Sequence, residues 1–296
     1  NAGAQKAVSD FGIELKSLEG TSAQEWEANL LSACEGGYDL VIGSSSNMAD
    51  YIAKHAPDYP KIKFAIIDTK VDLPNVESIS FAQNQGSFLA GAAAAMFTQK
   101  TEIKGVNPEH IIGWVGGMDI PVLHDFYVGY EQGAKYIDPD ISILQSFAGS
   151  WSDPLKGKEL TLAQYEQGAD IVMNVASGTG TGVLEAAKEA GEYAIGVDLN
   201  QDADQPGSVL TSMVKRVDNA CYLIIQAAAD GSFRGGTTQY LTLAEGGVSL
   251  TDFSVMKKAL GEKFPQDIVD KCEELEKKIA SGEIEVKNYE GFGPEA

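Results

Sequence analysis

An acidic residue delivered by an apolar strand is the best candidate for chemistry in this chain. The run Ala194-Ile195-Gly196-Val197 ends in Asp198. In parallel α/β proteins, residues just past each strand share the edge at which ligands bind. A carboxylate there can accept from vicinal hydroxyls, as acidic residues do for a ribose; the alternative is a helix cap or a structural salt bridge. Lys215 follows the apolar run Val209–Val214 and reads as the first residue of a helix. A cation there opposes the helix dipole, so it wants a partner, either Asp198 or a ligand. Phe126 and Trp151 are the edge aromatics suited to stacking on a flat ring. Phe126 also fits a core position, because Leu123, Phe126, Tyr127 and Tyr130 recur at helical spacing.

The same edge rule collects Ser44, Ser45 and Asn47, then Asp68, Gln83, Met118, Asp119, Trp151, Asp153, Asn174 and Ser177. This set is rich in acceptors and poor in cations, which suits a neutral, hydroxylated or heterocyclic ligand. Gly178-Thr179-Gly180-Thr181-Gly182 sits at a strand-to-helix turn, where backbone N–H groups can cradle a phosphate. Its spacing departs from the dinucleotide fingerprint and no Walker lysine follows, so a tight turn touching a neutral ligand is the preferred reading. Asp119 and Asp125 could mimic a hydrolase dyad, yet no GxSxG and no nucleophile beside a base accompanies them. The three histidines and three cysteines are scattered without metal or disulfide spacing, and no cofactor is expected.

Elements that position these residues follow from hydrophobic periodicity. Strands are expected at 13–18, 38–42, 63–67, 76–81, 110–115, 141–147, 170–175, 193–197, 209–214, 239–243 and 248–254. Helices are expected at 2–10, 22–34, 47–56, 85–98, 120–137, 156–168, 180–191, 215–230 and 265–281. The alternation implies an α/β protein with parallel sheets flanked by helices. The polar segment 101–108 reads as a linker, giving two lobes: 1–107 with 215–240, and 108–214 with 241–296, the ligand cleft lying between them. The chain opens inside a helix, so the first strand of the first lobe is expected to precede it. With 43 acidic against 22 basic side chains, a net charge of −21 disfavours nucleic acid and anionic membranes as partners. The apolar stretch Gly86–Phe97 is too short to span a bilayer.

Six segments resemble, in order and spacing, the blocks of the basic membrane protein lipoproteins, which include purine nucleoside receptor lipoproteins. They are GSFLAGAAAAM, IIGWVGGMDIPVLHDFYVGYEQGAKYIDPDI, GSWSDPLKGKE, GADIVMNVASGTGTGVLEAAKE, AIGVDLNQ and VLTSMVKRVD. The resemblance implies a two-lobed type I periplasmic-binding-protein fold with three crossovers, acting as the substrate-binding component of an ABC importer. It implies no catalysis, a nucleoside ligand captured by hinge closure, and an ABC permease as partner. It also implies a place at the periplasmic or extracellular face of the membrane, with a lipid anchor through a Cys upstream of this chain. Asp198 and Lys215 would hold the ribose, and Phe126 and Asn174 would approach the base. Competing readings are a binder of another flat heterocycle such as riboflavin, a nucleoside-acting enzyme, and a cytoplasmic ligand-sensing regulator.

Overall fold

Short apolar runs form the strands, because a β-branched-rich segment buried on both faces suits a parallel ladder. The computed structural model describes residues 2–20, 22–44, 46–290 and 293. In chain order the first elements are α1 (Ala2–Phe11), α2 (Ala23–Glu35), β1 (Leu40–Gly43), α3 (Ala49–His55), β2 (Lys63–Ile67), β3 (Val76–Phe81) and α4 (Gln83–Phe97). Next come β4 (Ile111–Gly116), α5 (Pro121–Ile137), β5 (Ser142–Phe147), α6 (Pro154–Glu166), β6 (Ala169–Val175), α7 (Gly180–Ala190) and β7 (Tyr193–Asp198). The chain finishes with β8 (Val209–Lys215), α8 (Val217–Asp230), β9 (Thr237–Leu241), β10 (Val248–Leu250), α9 (Ser254–Leu260) and α10 (Gln266–Ala280).

Two compact units result: Asn1–Phe81 with Arg216–Leu241, and Ala82–Lys215 with Thr242–Ala296, so the chain crosses between them three times. Among the described residues, the first unit carries a parallel sheet of order β1-β2-β3-β9. Its core packs Phe64 and Ile66 of β2 against Ile52, Leu30 and Val76. The second unit carries a sheet of order β10-β8-β7-β6-β4-β5, parallel except for β10. Trp114, Tyr130, Phe97, Leu89, Ile112 and Ile171 are its largest fully buried side chains.

Helix α4 belongs to the second unit, whereas the sequence reading put the boundary near residue 107. The reason is a glycine seam. A Cβ on Gly91 would lie 2.0 Å from Tyr130 O, one on Gly129 2.1 Å from Asn84 O, and one on Gly133 1.9 Å from Phe88 O. Only glycine permits such backbone-to-backbone approach, so α4 and α5 are in direct contact.

A C-terminal segment straps this helix pair. Asp125 is fully buried on α5. Its Oδ1 accepts from Tyr289 N at 2.8 Å and Asn288 Nδ2 at 3.1 Å, and its Oδ2 accepts from Gln83 Nε2 at 2.8 Å. Asn84 Nδ2 donates to Val286 O at 3.0 Å, and Gln132 exchanges two hydrogen bonds with the Lys287 backbone.

Two expected elements differ. Residues 13–18 form no strand, and no described strand pairs with them; Leu15 and Leu18 are left 37% and 38% exposed. The expected strand 248–254 stops at Leu250, because Asp252 Oδ1 accepts from Ser254 N at 2.9 Å and Phe253 turns to a left-handed φ of 60° to start α9.

Candidate functional site

The carboxyl ends of β8, β7, β6 and β4 lie side by side in the second sheet. Asp198 is the last residue of β7 and has φ 63°. That left-handed conformation costs a side-chain-bearing residue roughly 1 kcal/mol, and Asp is one of the few that tolerate it. Its side chain is 50% exposed and Oδ1 stands 3.9 Å from Lys215 Nζ. Lys215 does not open a helix as expected. It is the last residue of β8, and α8 begins at Val217. The reason is the ladder: Lys215 pairs in register with Val248 of β10, which keeps its backbone extended.

The lysine side chain is only 7% exposed. Its Nζ lies 5.6 Å from the centroid of Phe126, itself 3% exposed on α5. The carboxylate and the ring face together compensate a cation so withdrawn from water. Phe126 therefore takes the expected core position and also backs the charged pair. Chemically, the arrangement offers a half-exposed acceptor beside a fixed donor, which matches a pair of hydroxyl groups.

Beneath this pair is a polar frame. Asn174 is fully buried. Its Nδ2 donates to Gln201 Oε1 at 2.9 Å, and its Oδ1 accepts from Ala176 N at 3.2 Å. Its amide is thus spent on the fold, contrary to the expected approach to a base, because a buried amide must satisfy its own donor and acceptor. Gln201 Oε1 also accepts from Val197 N at 2.9 Å, and Gln201 N donates to Ser212 Oγ at 3.0 Å. Ser212 Oγ donates to Asp202 Oδ1 at 2.6 Å. Burial raises the Asp202 carboxyl above its usual range, while the Ser212 hydroxyl pulls it down. Sequence reasoning passed over Gln201 and Asp202. The available signal was two polar residues placed directly behind the strand that ends in Asp198.

The loop after β6 turns at Ser177, an exposed residue with φ 51°. The glycine run behind it is largely claimed by packing. A Cβ on Gly180 would stand 1.8 Å from Asn174 Oδ1, and one on Gly182 1.8 Å from Pro154 O. This agrees with a tight turn and removes the need for a phosphate to explain the glycines. Gly178 is exposed beside the Trp151 carbonyl, which accepts from Thr179 N at 3.0 Å. Trp151 is 39% exposed and its ring covers Gly117.

Met118 is half-buried and Asp119 exposed. Asp119 Oδ1 lies 2.6 Å from His124 Nε2, and the His124 ring stacks on Tyr289 with centroids 4.9 Å apart. Asp119 and Asp125 therefore form no dyad: one is exposed beside a histidine, the other sealed under the strap. In the first unit, Ser44 and Asn47 are exposed just past β1, and Ser45 lies outside the described residues. A cavity of about 420 Å³ in the same unit is lined by Glu77, Gln226, Arg234 and Gln239. Glu77 pairs with Thr237 where β9 begins, so that cavity is at the amino edge of its sheet, away from the ligand edge.

Among the described residues, no group of His, Cys, Asp and Glu side chains is arranged to hold a metal ion, and no helix is long and apolar enough to cross a membrane.

Comparison with known proteins gives a consistent result. The Bmp family, described as "ABC transporter substrate-binding protein PnrA-like", matches residues 1–290. The ABC transporter nucleoside-binding protein BmpA of Lactococcus lactis is 34% identical, covering 91% of this chain and 82% of that protein. Basic membrane protein D of Borreliella burgdorferi is 32% identical over 97% of this chain and 83% of its own length. An ABC transporter solute-binding protein from Aeropyrum pernix superposes with a TM-score of 0.85 at 29% identity, covering 96% of this chain and 86% of that one.

Proposed function

Because the chain belongs to the Bmp family of PnrA-like ABC transporter substrate-binding proteins, we propose that it captures a purine nucleoside for an ABC importer. The observation that carries this reading is the Asp198–Lys215 pair at the carboxyl edge of the second sheet, with Phe126 behind it. Asp198 accepts from the ribose hydroxyls and Lys215 donates to one of them while balancing the carboxylate. Ser177, Gly178, Trp151, Met118 and Asp119 border the ligand, and Trp151 offers the exposed ring on which a base can stack. The left-handed backbone at Ser177 and Asp198 supports the assignment, since such strained residues concentrate where a ligand is held. The name of the Lactococcus relative points to the same ligand class.

In this reading the protein is a receptor without catalytic activity. It works outside the cytoplasmic membrane, tethered there by a lipid, and hands its ligand to a permease. Capture proceeds by closure of the two units about the three chain crossings.

Calorimetry on the wild-type protein tests the ligand class. A purine ribonucleoside should bind at least about 10-fold, or about 1.4 kcal/mol, more tightly than its 5′-monophosphate and than its free base. An edge with one cation supplies little for a phosphate and leaves a base without its ribose contacts. Tighter binding of the monophosphate, or no binding of any purine nucleoside, overturns the proposal.

A further inference from the structure

We propose that Gln201 is a positioning residue for Asp198, an inference that rests on the ribose-binding reading above. The left-handed conformation of Asp198 is costly, so its surroundings must hold it there. Part of the restraint is backbone: Asp198 pairs in register with Val214 of β8, and Leu199 N donates to Val197 O at 2.7 Å. Side chains next to it add little, since Leu199 is 73% exposed and Asn200 is exposed as well. The side-chain restraint comes from Gln201. One oxygen, Gln201 Oε1, accepts from Val197 N at 2.9 Å and from Asn174 Nδ2 at 2.9 Å. It therefore ties the residue before Asp198 to the adjacent strand β6.

The same residue is also fixed through its backbone, because Gln201 N donates to Ser212 Oγ on β8 at 3.0 Å. Ser212 is held in turn: its N donates to Thr251 Oγ1 at 2.9 Å, and its hydroxyl donates to the buried Asp202. Three neighbouring strands thus meet at one residue, two through its side chain and one through its backbone. Gly196 makes room for this return of the loop, since a Cβ there would lie 2.5 Å from Ser212 Oγ and 2.9 Å from Gln201 Cβ.

The consequence concerns affinity. At 3.9 Å the Asp198–Lys215 pair is an open gate for a hydroxyl rather than a closed contact. Its usefulness depends on the carboxylate direction, which the backbone at residue 198 sets. Gln201 acts on the ligand only through that direction.

A double-mutant cycle read by calorimetry tests the idea. The probes are whichever of adenosine, guanosine or inosine the wild type binds most tightly, and the matching free base. Gln201→Met keeps the length and removes the acceptor. It should weaken the ribonucleoside about 10-fold and the free base by less than about 3-fold. Asp198→Gly removes the carboxylate while accepting the left-handed backbone. In that background Gln201→Met should change ribonucleoside affinity by less than about 2-fold, because the group it positions is gone. An equal loss in both backgrounds makes Gln201 a fold residue and overturns the inference, as does no loss from Gln201→Met where Asp198→Gly itself is damaging.

If Asp198→Gly alone leaves the nucleoside affinity intact, the ribose reading fails. A crystal structure of Gln201→Met then decides the positioning claim: residue 198 should leave the left-handed region, and an unchanged backbone overturns it. Should Gln201→Met not fold, Ser212→Ala, which releases Gln201 N, replaces it in the cycle with an expected loss of about 3-fold.

Discussion

Asp125 and Asp198 lie in the same unit, and their surroundings differ in every respect that decides whether a carboxylate serves the fold or a ligand. Asp125 is fully buried and accepts from Tyr289 N, Asn288 Nδ2 and Gln83 Nε2, all from its own unit. Burial pushes its carboxyl up to about 6, with those donors pulling the other way. Asp198 keeps half of its side-chain surface, faces one cation at 3.9 Å, and holds a strained backbone. The first carboxylate closes a structure; the second is held open at its edge. Depth of burial and the number of hydrogen-bond donors facing the carboxylate separate the two settings. Acidity of the residue type does not.

The comparison can be broken by exchanging the expected effects. Asp125→Ala strands one buried and two part-buried N–H donors, at roughly 1–3 kcal/mol for the buried one and less for the others. Unfolding followed by circular dichroism at pH 7 should show about 3 kcal/mol lost and a Tm lower by about 10 °C. Nucleoside affinity at a temperature where the variant is folded should stay within about 3-fold. A large loss of affinity with unchanged stability would move Asp125 into the binding site.

Asp198→Gly should give the mirror image. Affinity for a ribonucleoside should fall about 30-fold, roughly 2 kcal/mol, since Lys215 loses the anion beside it in a site shielded from water. The unliganded Tm should move by less than about 3 °C, because the glycine relieves the left-handed strain while loosening the unfolded chain. A lowered Tm with intact affinity would make Asp198 a second Asp125.

Lys215→Met keeps the apolar stem over Phe126 and removes the charge. Its expected loss of nucleoside affinity is about 10-fold, smaller than for Asp198→Gly because the exposed carboxylate remains hydrated without it. No loss at all would separate the lysine from the ligand.

The smallest expected effect is on pH dependence. Asp125 is raised to about 6, and burial together with the Asp170 charge raises Glu192 to about 7. With folded-state values above the unfolded ones, the unfolded chain releases these protons first. The stability these two groups contribute is therefore fully present near pH 4 and is lost as the pH rises through 6 to 7. The Tm of the unliganded protein should drop by a few degrees over that range, on the order of 1 kcal/mol. Asp125→Ala should flatten the curve while Asp198→Gly leaves its shape alone; the reverse pattern would undo the comparison.

Most of the fold was legible because the strands announce themselves. Lys63–Ile67 and Val76–Phe81 were read to the residue, since each apolar run is bounded by polar or turn-forming residues. The run at 13–18 misled, because Ile and Leu alternating with Glu and Lys satisfy a strand pattern whether or not a partner is within reach. Helix α4 was found but placed in the wrong unit. Its sequence reports that it is buried without saying against what, and the matching glycines lie about 40 residues away on α5.

At the site, Asp198, Lys215 and Phe126 came together as expected, because the edge rule depends only on topology. The inward hydrogen bonds of Asn174 could not be foreseen, for a reason periodicity cannot supply. A polar residue at a strand end can face outward or turn under the sheet edge, and the choice depends on whether a partner such as Gln201 returns to meet it. That partner is 27 residues away in sequence and adjacent only once β6 and β7 are side by side.

The glycine seam between α4 and α5 has a mechanical meaning. Helices joined through interlocking side chains can slide or roll slightly as rotamers adjust, so part of any imposed displacement is absorbed. Three backbone contacts without side chains leave no such slack. The pair behaves as a single beam. Gln83, one residue after the chain enters the second unit at Ala82, and Phe126, the ring under Lys215, sit at the same end of it, since Gln83 Nε2 donates to Asp125 beside that ring. The point where the chain enters this unit and the floor of the charged pair are therefore parts of one stiff body.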